Sequence, residues 1–204
     1  MTGKIKTLEE LQETVADLKS KGKTVVHCHG VFDLLHIGHI KHFQEARTFG
    51  NVLVVTITPD EHVHKGPNRP AFTTALRLEA LAALESIDYV AVNKWPIAVE
   101  TIKMLKPDIY CKGPDYKNHT DDVTGKIDDE EKAVESVGGQ IRYTDDIVFS
   151  SSSLVNKFSD VYSQEQKTFI QKIVQKHSFD FIKLKVDELQ NPKVLVIGET
   201  IIDQ

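Results

Sequence analysis

Short apolar runs alternate with longer segments of helical periodicity along most of the chain. The apolar runs predict five strands, which lie at Thr24–His29, Asn51–Thr58, Asp88–Val92, Asp108–Cys111 and Gln140–Tyr143. The second run is apolar at nearly every position, a pattern typical of a strand that is covered on both faces. The sequence therefore predicts a sheet buried between layers.

The intervening segments repeat apolar residues every three or four positions, which predicts helices. One stripe is Leu8, Leu11, Val15 and Leu18; the further predicted helices are Gly38–Phe49, Thr73–Glu85 with Leu76, Ala80 and Leu84 on one side, Ile97–Leu105, Asp128–Val137 and Ser151–Phe158. Strands that alternate with helices indicate an α/β fold with right-handed crossovers. We predict a Rossmann-like, five-stranded parallel sheet flanked by helices, with ligands at the carboxyl ends of its strands.

The pattern changes after about residue 160. Gln164–His177 has the periodicity of an amphipathic helix, Asn191-Pro192 interrupts the chain, and Lys193–Asp203 reads as a strand followed by a turn. We predict a main domain over residues 1–160, a helical linker over 161–191, and the possible start of a further domain over 192–204. The alternative is that the last strand is a sixth strand of the main domain.

Composition narrows the class of protein. The chain has 204 residues, 40% of them hydrophobic, a formal net charge of −5 and a pI near 6.0. This charge argues against nucleic acid or an anionic membrane as the main partner. The amino terminus has no apolar signal core, and no run reaches the ~18 apolar residues of a membrane span. Cys28 and Cys111 lie in apolar runs, which favours buried reduced thiols and a cytoplasmic location over a disulfide.

The first strand leads into the segment with the most informative chemistry. Gly30 marks a turn, and His36 and His39 then lie at the start of a predicted helix. A helix amino terminus presents free N–H groups and a partial positive charge, so it favours anions. Two imidazoles there add donors suited to phosphate oxygens, especially those that gain charge in a reaction.

Ordered sequence blocks resemble the cytidylyltransferase-like nucleotidyltransferases. They are Gly30-Val31-Phe32-Asp33 with His36-x-Gly38-His39, then Lys65-Gly66 with Arg69-Pro70, Arg77, Lys112-Gly113-Pro114-Asp115-Tyr116, and Ser150-Ser151-Ser152. The likeness is closest to the nucleotidyltransferase domain of the bifunctional heptose kinase/ADP-heptose synthase group. Glycerol-3-phosphate cytidylyltransferases come next. A lone His-x-Gly-His would be weak evidence, but blocks in the family's order across residues 25–158 are specific.

The resemblance implies nucleotidyl transfer catalysed by His36, His39, Lys65 and Arg77. The two histidines would hold the triphosphate and stabilise the transition state; the alternative is that one caps the helix and the other is a surface residue. Lys65 would close over the triphosphate from a loop, although the same loop could be only a solvated basic segment. Arg77 would join the active site, although a helix arginine is usually a solvated surface charge.

The resemblance also implies the nucleotide-binding residues Gly30, Val31, Phe32, Asp33, Lys112, Gly113, Asp115, Ser150, Ser151 and Ser152. For Asp33 we favour a structural role, holding a histidine or the turn, over direct catalysis. Pro114 departs from the Gly-Gly expected in the heptose enzymes and removes one N–H donor. The three serines replace Ser-Thr-Thr, keep the hydroxyls, and could bind phosphate, cap a helix, or do both.

Two histidine pairs, His27-x-His29 and His62-x-His64, raise the question of a bound transition metal. Alternating histidines on a strand share one face, but neither pair has a clear third ligand. We therefore assign no metal-binding residues. Mg²⁺ bound mainly through the triphosphate is the expected cofactor.

Taken with the resemblance, these features lead to a functional hypothesis. The enzyme would transfer a nucleoside monophosphate from an NTP, with ATP favoured, to a sugar phosphate such as a heptose 1-phosphate, and would release pyrophosphate. The alternatives are a CTP-dependent polyol-phosphate cytidylyltransferase or a catalytically silent nucleotide-binding domain. The family implies a homodimer. The last strand and Asp203 resemble the start of a PfkB (ribokinase-like) sugar kinase.

Overall fold

The computed structural model describes residues 3–65, 69–114, 126–145 and 163–188. The chain divides into two compact units, Met1–Val155 and Asn156–Gln204. In the first unit the described elements are α1 (Leu8–Ser20), β1 (Val25–Gly30), α2 (Ile37–Thr48), β2 (Val52–Ile57), α3 (Thr74–Ala82), β3 (Tyr89–Val92), α4 (Val99–Leu105), β4 (Ile109–Lys112), α5 (Lys126–Ser136) and β5 (Gln140–Tyr143).

The sheet is five-stranded and parallel, in the order β3-β2-β1-β4-β5. This confirms the fold class and the five strands expected from the sequence. The strand order reverses between β1 and β4, where Cys28 is paired in register with Cys111. In open α/β sheets a crevice forms at such a reversal, outside the carboxyl ends of the strands. The topology therefore places Gly30 and Lys112, the last residues of β1 and β4, beside the expected ligand site.

Both faces of the central strands β1, β2 and β4 are buried, which accounts for their nearly continuous apolar runs. On one face Phe43 and Ala46 of α2 and Leu81 of α3 pack against alternate residues of β1 and β2, among them Val26 and Leu53. On the other face, one cluster joins α1 to the strands and a second joins α4 and α5 to Tyr110 of β4. The strands are thus central layers whose side chains alternate between two helix layers.

Helix α3 buries a different face from the one that its leucines indicated. The side expected to be buried carries Leu76, but that residue is 52% exposed, whereas Arg77, Leu81 and Ala82 are buried. Of the three residues placed on one side from the sequence, Leu76 and Ala80 are exposed, and Leu84 packs against the core. The helix is rotated because acceptors for the Arg77 guanidinium lie inside the protein, and a charge with hydrogen-bond partners can be buried where an unpaired one cannot.

The amino-terminal segment protects an edge of the sheet. Ile5 forms an isolated parallel bridge with Val90 of β3, supported by hydrogen bonds from Lys6 N to Val90 O and from Val90 N to Lys4 O, both 2.9 Å long. Thr7 and Glu10 then form a capping box at the start of α1. The chain thus covers the β3 edge, which would otherwise expose unpaired backbone groups.

The described part of the second unit consists of two helices, α6 (Gln164–Lys176) and α7 (Phe179–Glu188). Helix α6 matches the expected amphipathic segment within a residue and begins with a Ser163–Gln166 capping box. Helix α7 was not foreseen as a separate helix within the linker. The predicted helix Ser151–Phe158 and the strand after Asn191 lie outside the described residues. A search of the described helices finds none that is both long and apolar enough to span a membrane.

Candidate active site

The site begins where β1 turns into α2. Phe32 has a φ of 48°, in the left-handed region that is unfavourable for a residue with a side chain. Its ring folds back over Gly30, where an added Cβ would lie 2.9 Å from the Phe32 Cζ. The same ring packs edge-on against His39 and Phe43, with ring centroids 5.4 and 5.0 Å apart. Glycine at position 30 therefore makes room for the ring that supports His39.

His36 is the N-cap of α2. Its Nδ1 accepts a hydrogen bond of 3.1 Å from the Gly38 backbone N–H. A neutral imidazole carries its single proton on the other nitrogen when one nitrogen accepts, so Nε2 of His36 is the N–H donor. The capping alternative from the sequence is therefore what the structure shows for this residue. Capping fixes the tautomer and leaves His36 a donor beside the helix amino terminus.

His39 stacks on His36, with ring centroids 3.9 Å apart and an angle of 23° between the ring planes. Burial lowers the pKa of His39 to about 3, helped by His36, His42 and Lys65, while a hydrogen bond to the Leu34 backbone acts in the opposite direction. Burial also lowers the pKa of His36. Both rings are therefore neutral at physiological pH.

Lys65 lies close enough to His39 to affect the pKa of that ring. Asp33 holds the Arg69–Phe72 segment, because its carboxylate accepts hydrogen bonds from Arg69 Nε at 2.7 Å and from the Phe72 backbone N–H at 3.1 Å. Burial acts to raise the pKa of Asp33, but the Ala71 and Phe72 backbones and Arg69 hold it below its ordinary value. Asp33 thus holds a loop in place, the kind of structural role favoured from the sequence, although its partner is an arginine and not a histidine.

Arg77 lies behind the β1–α2 connection, and its side chain is fully buried. Its guanidinium donates from Nη1 to the Val31 carbonyl at 2.5 Å, from Nε to the Phe72 carbonyl at 3.0 Å and from Nη2 to the Asp60 carboxylate at 2.7 Å. In this arrangement Arg77 ties three segments together and does not line the cleft. The structure therefore points to a positioning role, in contrast to the catalytic role expected from the resemblance.

A cleft of about 290 Å³ opens at the carboxyl ends of the central strands. From the residues predicted by sequence, Gly30, Val31, Lys65 and Lys112 line it, whereas His36 and His39 do not. Lys112 is buried and pairs with Glu130 of α5, with 2.6 Å between Nζ and Oε2. Gly113 has nothing within 4 Å of the position that a Cβ would occupy, so its backbone is approachable.

Five polar residues that were not predicted as site residues from the sequence also line this cleft: His29, Thr58, His62, His64 and Glu130. His29 shares the Thr56 hydroxyl with His27, at nitrogen–oxygen distances of 2.9 and 2.8 Å, and its Nε2 lies 3.2 Å from the Thr58 hydroxyl. The two histidines do share a face, as their spacing indicated. His29 and Thr58 stand at or just after strand ends, so a search for polar residues at strand termini could have found both.

Four predicted site residues, Asp115, Ser150, Ser151 and Ser152, lie outside the described part of the chain. Within the described part, one group of three side chains with metal-ligand atoms close together is found, and its members are Cys28, His42 and Cys111. Sulfur and nitrogen donors do not suit Mg²⁺, which prefers oxygen. The divalent metal that nucleotidyltransferases generally use is therefore best treated as part of the metal–NTP substrate.

Comparison with known proteins gives relatives of two kinds. The chain is 39% identical over 164 residues to the bifunctional protein HldE of Syntrophotalea carbinolica, covering 79% of this chain and 32% of that protein. It is 42% identical over 139 residues to the bifunctional protein HldE of Aliarcobacter butzleri, and this match covers 67% of this chain and 29% of that protein. The chain thus spans about a third of the length of the curated relatives it matches.

Two solved structures share the fold. The lipopolysaccharide core biosynthesis protein of Thermoplasma volcanium superposes with a TM-score of 0.51 at 25% identity, covering 63% of this chain and all of that one. The pantoate-beta-alanine ligase of Francisella tularensis superposes with a TM-score of 0.53 at 15% identity, and the match covers 91% of this chain and 84% of that one. Because the identity is low, this likeness supports the fold alone.

The match to a protein family includes most of the site described above. Residues 27–158 match the cytidylyltransferase-like family. This range runs from the middle of β1 through the His36–His39 motif and β5, and it contains every predicted site residue. The chain therefore belongs to the cytidylyltransferase-like family.

Proposed function

We propose that this enzyme transfers a nucleoside monophosphate from an NTP, with ATP favoured, to a sugar phosphate such as a heptose 1-phosphate. The observation that carries the proposal is the stacked His36–His39 pair at the amino terminus of α2, with Lys65 beside it. N–H donors, a helix dipole and an ammonium group together suit a triphosphate. ATP and heptose 1-phosphate are favoured because the sequence blocks are most similar to those of the heptose enzymes.

The reaction needs donors and positioning more than it needs a protein nucleophile. An oxygen of the acceptor phosphate attacks the α-phosphorus of the NTP, a new P–O bond forms, and the bond to the β-phosphate oxygen breaks as pyrophosphate leaves with the electron pair. The acceptor oxygen is already anionic, so no proton has to be removed. The barrier lies in bringing anions together and in stabilising charge on the transferred and departing phosphates.

Neutral histidines fit this task. The Nε2–H of His36 and the ring of His39 would donate to phosphate oxygens, and the bound anion would raise the pKa of both rings because it favours their protonated forms. Positive charge would then be supplied where negative charge develops. Lys65 would add a mobile cation, and Arg77 would hold the Val31 carbonyl and so the start of the motif.

We assign the phosphorylated acceptor to the cleft bounded by His29, His64, Lys65 and Lys112. The cleft adjoins the motif through Gly30 and Val31, so an acceptor phosphate there would face the α-phosphate. Lys65 and the imidazole groups along its wall would favour an anionic sugar or polyol, while the charge of Lys112 is offset by Glu130. Mg²⁺ would arrive with the NTP, bound mainly by phosphate oxygens.

The base specificity is the open choice within this proposal. Pro114 lacks the N–H that a glycine would offer to the base or ribose at this loop, and this departure from the heptose enzymes supports keeping CTP with a polyol phosphate as the second candidate.

We further propose a homodimer. The chain matches only about a third of the bifunctional relatives, and their greater length supports a larger transferase–kinase chain in which residues 1–160 are the transferase. Two buried free thiols support a reducing, cytoplasmic setting.

A substrate screen tests the proposal. The full chain is incubated with each of four NTPs and with a panel of sugar 1-phosphates and polyol phosphates, and pyrophosphate release is measured with and without the acceptor. We expect release that depends on the acceptor, fastest with ATP and a heptose 1-phosphate. Fastest release with CTP and glycerol 3-phosphate would select the second candidate. No release with any pair would contradict nucleotidyl transfer to a phosphorylated acceptor.

A further inference from the structure

Three metal-ligating side chains meet in the core on the α2 side of the sheet. Cys28 of β1 and Cys111 of β4 are register partners on adjacent strands, and His42 of α2 lies over them. The ligand atoms of the three residues all lie within 4.8 Å of one another. Both thiols are free and buried. None of these residues belongs to the predicted phosphate-binding set.

The His42 ring is oriented by a second residue. Its Nδ1 lies 2.9 Å from the Thr144 hydroxyl, and that hydroxyl lies 3.5 Å from the Lys112 carbonyl, to which it can donate. Thr144 therefore accepts from Nδ1–H of His42, which leaves the lone pair of the neutral ring on Nε2. Metal-ligating histidines are commonly fixed in this way by a hydrogen bond from the other ring nitrogen.

The distances suit a small thiophilic ion. Zinc bonds of about 2.3 Å to sulfur and about 2.0 Å to nitrogen set the ligand atoms roughly 3.5–3.8 Å apart in a tetrahedral site. Atoms that already lie within 4.8 Å need only small side-chain rotations to reach those separations. Two thiolates and an imidazole are a donor set selected by Zn²⁺ over Mg²⁺ or Ca²⁺.

We propose that Cys28, His42 and Cys111 form a zinc-binding site that ties helix α2 to strands β1 and β4. On binding, each thiol loses a proton and each sulfur forms a bond to zinc, so two protons are released while the neutral histidine binds through Nε2. The two negative charges of the thiolates balance the dication within the core. The site lies one helical turn from His39, so the metal would fix the helix that carries the phosphate-binding pair.

The electrostatic surroundings agree with this chemistry. Burial lowers the pKa of His42 to about 4, with Lys112 adding to the effect, so the ring is neutral and able to bind a metal at physiological pH. Burial raises the pKa of the Cys28 thiol, so zinc has to displace the proton of that thiol on binding, which is why proton release is part of the test. Lys112 itself is paired with Glu130, which offsets its repulsion of a cation.

The test is zinc binding to the full chain after treatment with a chelator. We expect one Zn²⁺ per chain, two protons released per zinc in unbuffered solution, and a higher Tm for the zinc-loaded protein. Cys28→Ser, Cys111→Ser and His42→Asn should each lose the stoichiometric zinc. His177→Asn, a histidine of the second unit, is the matched control and should retain it.

X-ray absorption at the zinc edge of the wild-type protein supplies a measurement that does not depend on whether the variants fold. Two sulfur ligands and one imidazole nitrogen would support the site. A zinc shell of nitrogen and oxygen alone, as surface histidines would give, would overturn it. The proposal would also fall if wild-type protein bound no more zinc than the three variants.

Discussion

His36, in the β1–α2 connection, combines a structural role with a proposed catalytic one. His36 caps α2 through Nδ1 and is left with its proton on Nε2, so the same hydrogen bond that begins the helix also prepares a donor. Asp33 holds the Arg69–Phe72 segment, and Arg77 holds the Val31 carbonyl. The phosphate-binding chemistry that we propose therefore depends on side chains that are also parts of the scaffold.

A pair of substitutions at His36 separates its two tasks. His36→Ala should lower stability by about 1 kcal/mol through loss of the cap, and should also lower the kcat for pyrophosphate release. His36→Asn restores a capping acceptor but not the imidazole donor, so the Tm should recover while kcat stays low. Thermal melting and pyrophosphate assays on both variants check this. An asparagine variant with wild-type kcat would show that His36 is only a cap.

Removing the Arg77 guanidinium should affect stability as well as activity. Arg77→Leu leaves the Val31 and Phe72 carbonyls without a donor, and it leaves the Asp60 carboxylate unpaired. We expect a loss of about 2–3 kcal/mol, since unsatisfied buried groups cost about 1–3 kcal/mol each and Asp60 is 43% exposed. Urea unfolding measures this loss of stability. Lys103→Leu is the control, because Lys103 belongs to an exposed ion pair with Glu100. Equal stability of the two variants would contradict the positioning role.

The sequence identified some of these residues and missed others for a physical reason. The resemblance of the ordered motifs to the family pointed to His36, His39 and Lys65, because these residues lie within short motifs that can be recognised along the chain. The burial of Arg77 depends on three acceptors outside its helix, which are the Val31 and Phe72 carbonyls and the Asp60 carboxylate. No local sequence pattern shows that these acceptors surround the guanidinium. The same holds for the Lys112–Glu130 pair, since its two members are brought together only by the packing of α5 against β4.

At the scale of elements, the bend between β1 and α2 is set by the contact between Gly30 and Phe32. The Phe32 ring occupies the space of a Cβ at position 30 and supports His39 from the side. The connection is therefore a packed unit in which the glycine, the aromatic ring and the histidine fix one another.

Gly30→Ala tests this unit. The added methyl must displace the Phe32 ring, which lies against His39 and Phe43, so the histidine pair should shift. We expect kcat to fall by about 10- to 100-fold, the usual effect of misplacing a catalytic group by about 1 Å. Gly3→Ala, where nothing lies within 4 Å of the added atom, is the control. Steady-state kinetics measure the kcat of both variants. A Gly30→Ala enzyme as active as the Gly3→Ala control would show that the Phe32 ring does not position the histidine pair.

The positions of the strands could be predicted from the sequence more completely than the buried faces of the helices. The central strands β1, β2 and β4 were predictable because both of their faces are buried, so their apolar runs were nearly continuous. Helix boundaries agreed to within a few residues where a cap or a glycine marked them. The face of α3 was not predictable, since Leu76 is exposed and Arg77 is buried against partners outside the helix. Helix α7 mixes charged and apolar residues and was not separated from the linker.

At the scale of the whole molecule, buried neutral histidines make the fold sensitive to acid. Burial lowers the pKa of His27, His29 and His39 to about 3 and that of His42 to about 4, from an ordinary value of 6.5. The unfolded chain therefore binds more protons than the folded one between about pH 6.5 and pH 4. Stability is full above 6.5 and falls as the pH is lowered through this window.

Thermal melting with a chelator present, at pH 7.5 and pH 5.5, measures this effect. We expect a clear drop in Tm at the lower pH, corresponding to on the order of 1 kcal/mol for each histidine that must stay neutral. His177→Asn should show the same drop, because that histidine lies in the second unit. Equal Tm values at the two pH values would contradict the burial of these rings as neutral groups.

The most direct test of the whole account is the effect of His39→Ala on pyrophosphate release with the best NTP and acceptor. His39 is held by Phe32, stacked on His36 and close to Lys65, so the proposed chemistry depends on it. We expect kcat to fall by at least about 100-fold, the usual cost of removing a donor aimed at developing charge, with the Tm little changed. His177→Asn should keep wild-type kcat. A folded His39→Ala enzyme with near-normal turnover would contradict the assignment of this histidine pair to catalysis.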